Sequence, residues 1–77
     1  MDWPERYGVA LELELAEEEV DAILDLARDV AHATERRFAP LSAYLAGKFV
    51  ARRLAAGATV DEALREARGI AGRLLAQ

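Results

Sequence analysis

Residues 17–40, EEEVDAILDLARDVAHATERRFAP, constrain the chain more than any other stretch. Val20, Ile23, Leu24, Ala27, Val30 and Ala31 recur at steps of three and four, which puts them on one face of an α-helix. Asp25, Arg28, Asp29, His32, Glu35 and Arg36 share the opposite face. A strand would instead alternate every second residue. The stretch must therefore be a helix, and its apolar face needs something to pack on. Glu17, Glu18 and Glu19 suit the positive end of a helix dipole, and Arg36 and Arg37 suit the negative end. The pattern predicts a helix from Glu17 to about Arg37. Pro40 disfavours a helical conformation at Ala39, which predicts a break near Phe38. Pro40 can then open the next helix.

With 77 residues the chain makes one small domain, residues 1–77. Chains this short need added support, and the absence of cysteine excludes disulfides and thiolate metal sites. Regular helix packing, self-association and metal held by nitrogen and oxygen ligands are the aids left. A hydrophobic content of 53% is too high for a disordered chain. A formal net charge of −4 argues against general nucleic-acid binding, although Arg36, Arg37, Lys48, Arg52 and Arg53 form a local basic patch. No apolar run approaches the roughly 20 residues needed to span a bilayer. The opening MDWPERYGV is unlike a secretory signal, so a cytoplasmic protein is expected.

Asp2 is a candidate N-cap for a short first helix that reaches about Leu11. Leu11 to Leu15 alternates as LELEL, a strand pattern with no second strand to pair with. It reads as a helix end and connector whose leucines tuck against the bundle. A third helix from Pro40 to about Ala56 ends at Gly57, a left-handed cap. Thr59 and Glu62 form a capping box that starts the last helix at Val60. The expected fold is an all-α bundle, with a short N-terminal helix and three longer antiparallel ones. Small residues recur every fourth position as Ala43, Gly47, Ala51 and Ala55, and again as Ala63, Ala67 and Ala71. Both stripes are expected to bring helix backbones close together. The third helix is apolar around most of its circumference, which predicts a homodimer through that surface.

Candidate chemistry centres on Asp29, His32 and Glu35, spaced as D-x-x-H-x-x-E. Carboxylates and imidazole on neighbouring helical turns suit iron, manganese or zinc, and helical bundles use Glu-x-x-His in such sites. The motif occurs once, so a complete site needs further ligands, from a second copy or from Asp25 or Glu62. His32 held by Asp29 or Glu35 can also act as an acid or base, but no nucleophile is placed beside it. Thr34 and Ser42 are near it only in sequence, and Thr34 is expected to bond back to its own helix. No catalytic residue is therefore assigned. The same face can instead hold ion pairs such as Arg28–Asp25. Arg36 and Arg37 can bind an anion or compensate the helix dipole.

The run LARDVAHATERRFAPLSAYLAG, Leu26 to Gly47, resembles a small, mainly actinobacterial family of uncharacterised helical domains. That family carries an A-R-D-V-A-H-x-x-E-R-x-x-A-P-L run and a Trp near its start, matched here by Trp3 and by Ala27 through Leu41. Pro4 departs from the family's usual apolar residue. Such domains stand alone or are fused to nucleotidyltransferases similar to molybdenum-cofactor guanylyltransferases, and some are associated with formate dehydrogenase maturation. The Gly-rich nucleotide loop of those transferases is absent from this sequence. The resemblance therefore implies a non-enzymatic accessory module with a nucleotidyltransferase or molybdoenzyme partner. Its binding surface would be Arg28, Asp29, His32, Glu35 and Arg36. The alternative is a metal- or small-ligand-binding bundle using Asp29, His32 and Glu35.

Overall fold

The computed structural model describes residues 2–77. Four helices follow in order: α1 (Trp3–Ala10), α2 (Glu17–Ala33), α3 (Phe38–Ala55) and α4 (Val60–Leu75). Local chemistry explains most of their ends. The Asp2 carboxylate accepts from the Glu5 N–H at 3.4 Å and caps α1. At its other end Glu12 adopts φ 60°. The Leu13 N–H then donates to the Gly8 carbonyl at 2.9 Å and the Glu12 N–H to the Val9 carbonyl at 3.1 Å, a Schellman closure built without glycine. The same closure ends α3 around Gly57, whose φ is 101°. Thr59 and Glu62 make both halves of the predicted capping box on α4. On α2 only one half exists, because Ala16 has no side-chain acceptor: its N–H donates to the Glu19 carboxylate at 3.0 Å.

α2 stops four residues short of the predicted end. The Thr34 hydroxyl donates to the Val30 carbonyl at 2.7 Å, as expected, and the Thr34 N–H donates to the same oxygen at 2.9 Å. The chain then turns through Glu35–Arg37 into α3, which begins before Pro40. Ala39 is helical, so the break that falls just before Phe38 is not made by Pro40. Pro40 sits in the first turn of α3, where its missing N–H has no intrahelical partner to lose. Arg37 is thereby the N-cap of α3, and neither it nor Arg36 stands at the C-terminus of α2.

α2, α3 and α4 pack on one another in pairs, while α1 packs on none of them. Arg53 near the end of α3 meets Glu66 of α4, so these two neighbours run antiparallel. Asp25 of α2 meets Arg68 of α4, and the cleft between those helices runs from Glu18 and Asp61 to Asp25 and Arg68, so the two are parallel. The three long helices thus go up, down and up, as expected.

Their core is thin. Leu26, Val30, Ala46, Ala63 and Leu64 are the buried apolar residues, with Ile23, Phe38 and Leu75 packed around them. The small-residue stripe of α4 lies where it was expected, since Ala63 is fully buried and Ala67 and Ala71 pack against the core. The stripe of α3 does not: Gly47, Ala51 and Ala55 are exposed, and a Cβ at Gly47 would meet nothing within 4 Å. Ala46, one residue along, is the close-packed position. The LELEL leucines do not tuck in either; Leu11, Leu13 and Leu15 are all about half exposed or more. No described helix is long and apolar enough to cross a membrane.

Candidate interaction surface

The polar face predicted on α2 divides at Thr34. Arg28 lies between two carboxylates, 3.4 Å from Asp25 and 3.6 Å from Asp29. Glu35 is past the end of the helix and turns to Arg37 at 3.4 Å. His32 is exposed, and among the described residues it pairs with neither Asp29 nor Glu35. Arg36 is exposed in the turn. The three-residue spacing places Glu35 beside His32 only on a continuous helix, and the helix has ended by then. No group of three His, Cys, Asp or Glu side chains able to hold a metal is assembled among the described residues.

Asp25 also faces Arg68 of α4 at 3.7 Å, so one carboxylate joins Arg28 on its own helix to an arginine on another. Sequence reading missed Arg68, because a contact between helices distant in the chain leaves no spacing to find. The pairs are partly exposed and contribute under about 1 kcal/mol each. They orient α2 against α4 and hold little of the fold. The basic patch is similarly dispersed: Arg53 pairs with Glu66, Arg37 lies over Phe38, Lys48 over Tyr44 and Arg52 over Phe49.

Between α3 and α4 runs a groove walled by Leu45 and Phe49 on one side and Ile70 and Leu74 on the other, with Leu26 and Ala46 beneath. Leu45 is 64% exposed and Leu74 62% exposed, and Tyr44 and Leu41 continue the apolar surface along α3. A second apolar surface lies on α1. Trp3 and Tyr7 stack with ring centroids 5.4 Å apart and an interplanar angle of 12°, yet Trp3 is 66% exposed. The accessible area of the chain is 6067 Å². A folded monomer of its 8.4 kDa is expected to expose about 4,600 Å². The radius of gyration, 12.8 Å, likewise exceeds the roughly 11.5 Å expected for its length.

No curated protein and no solved structure matches the chain. Its whole length, residues 1–77, matches the family described as a domain of unknown function, DUF6457, and the chain belongs to that family.

Proposed function

We propose that the chain is a non-enzymatic helical interaction module that works as a homodimer in the cytoplasm. The observation that carries this reading is the area. The chain exposes about 1,500 Å² more than a monomer of its mass should. Much of that exposed area belongs to leucines and aromatics that a partner can cover. A standard protein interface takes about 800 Å² from each partner, and obligate dimers take more. Light scattering on the purified chain tests the first half of the reading. The expected mass is twice 8.4 kDa at micromolar concentration. A mass of one chain would end it.

The pathway follows from the sequence resemblance: an accessory role in molybdenum-cofactor or formate dehydrogenase maturation. In this reading Arg28, Asp29, His32, Glu35 and Arg36 meet the partner protein, and their exposure at one end of the bundle is what supports it. Co-purification with a nucleotidyltransferase or a formate dehydrogenase component is the test. Arg28→Ala and His32→Ala should abolish that association and leave the helix content unchanged. Association that persists in both variants would remove the polar face from the account.

A further inference from the structure

α1 is a helix that packs on no other helix. It has eight residues. Isolated helices shorter than about 12–15 residues are marginal in water, and their stability normally comes from packing an apolar face. α1 has such a face: Trp3, Tyr7 and Leu11 recur every fourth residue on one stripe. That stripe is largely exposed, Trp3 at 66%, Tyr7 at 52% and Leu11 at 49%. Both ends of α1 are capped, so its conformation is well specified while its burial is missing. The groove between α3 and α4 has the opposite deficiency: it is an apolar seat with nothing in it.

We propose that α1 of one copy seats in the α3–α4 groove of a second copy, and that the exchange is reciprocal. The proposal rests on the self-association argued above and names its geometry. Three observations select a second copy as occupant.

Length is the first. α1 is about 12 Å long at 1.5 Å per residue. Each wall of the groove spans a seven-residue step, Ser42 to Phe49 and Ala67 to Leu74, or about 10.5 Å.

Charge is the second. Residues 1–25 contain nine acidic residues and one basic residue, a net −8, and residues 26–77 contain five and nine, a net +4, which together give the chain's −4. The arm itself, residues 1–16, is acidic, with Asp2, Glu5, Glu12 and Glu14 against Arg6, a net −3. Lys48 and Arg52 border the groove on the α3 side, and Arg73 lies on its α4 side by helical position. None of the three makes an ion pair among the described residues. Glu66, also on that side, is already paired with Arg53. Opposite charges around matching apolar surfaces steer association and set its register.

Area is the third. An arm and a groove on each copy, used reciprocally, form a two-fold arrangement in which every copy covers both of its apolar surfaces. Such an arrangement consumes the excess area from both places where it occurs. A dimer joined through α3 alone would leave Trp3 and Tyr7 in water.

The test uses the full chain. Because the sequence has no cysteine, introduced thiols are the only ones present. Tyr7→Cys chains are mixed with Ile70→Cys chains and treated with a short bismaleimide. A parallel mixture pairs Tyr7→Cys with Asp29→Cys. Emission of Trp3, the single tryptophan, is recorded as the unmodified protein is diluted from micromolar to nanomolar concentration. The proposal expects linkage between position 7 and position 70 at least tenfold above the position 29 control. It also expects Trp3 emission to shift red on dilution, together with loss of dimer mass, and Trp3→Glu to raise the dimer dissociation constant at least tenfold. A dimer with no preferential linkage to position 70 and concentration-independent Trp3 emission would overturn the arm exchange and leave self-association standing. A monomer at all concentrations would overturn both. A monomer with Trp3 buried would also overturn the exchange, the arm then lying on its own groove.

Discussion

Single positions decide where the helices of this chain begin and end. Ala16 occupies the N-cap of α2 in an extended conformation, φ −73° and ψ 155°, but offers no acceptor. Ala16→Ser or Ala16→Asp should therefore stabilise the protein by about 1 kcal/mol in urea denaturation. Thr59 already makes that bond on α4, and Thr59→Ala should cost about 1 kcal/mol in the same measurement. Glu12 holds a left-handed conformation that costs a residue with a side chain about 1 kcal/mol relative to glycine. Glu12→Gly should leave α1 intact or firmer by circular dichroism, and loss of helix there would contradict the Schellman reading. His32 has no partner among the described residues, so His32→Ala should change stability by less than about 0.5 kcal/mol.

At the scale of elements, helices with chemical markers at their ends were legible from sequence, and those ended by tertiary or turn geometry were not. Gly57 and the Thr59–Glu62 box set the α3–α4 corner, and both were readable. The end of α2 depends on Thr34 bonding back to Val30 and on the turn that follows. Pro40 lies seven residues past the last helical position and could not mark that end. The misplaced end also undid the D-x-x-H-x-x-E reading, since Glu35 left the helix on which its spacing mattered. The α3 stripe failed for a related reason: periodicity groups Gly47 with Ala51 and Ala55 but does not say which face of the helix meets α4. Gly47→Ala should now stabilise α3 by about 1 kcal/mol, because the added methyl group meets open space in a helix interior. Destabilisation by a similar amount would restore the close helix approach first expected there. The Asp25–Arg68 pair joins α2 to α4 at a partly exposed position. A double-mutant cycle on it should give a coupling below about 1 kcal/mol that shrinks as salt is raised.

As a whole, the molecule is a small three-helix bundle with an unpacked arm. Its principal extents are 38 × 30 × 17 Å, and the shortest is less than two helix diameters of about 10 Å each. Three short helices enclose little interior, and among the described residues no bulky side chain is fully buried. Short chains without disulfides commonly gain the missing burial from another subunit. The apolar face of α3 was visible in the sequence as a reason to expect a dimer. The groove and the stranded stripe of α1 were not, because each exists only once the helices are placed. Sedimentation equilibrium across a range from nanomolar to tens of micromolar bears most directly on this account. It should give a reversible transition from one chain to two, with the dimer prevailing at micromolar concentration. A single species of one chain over the whole range would contradict it.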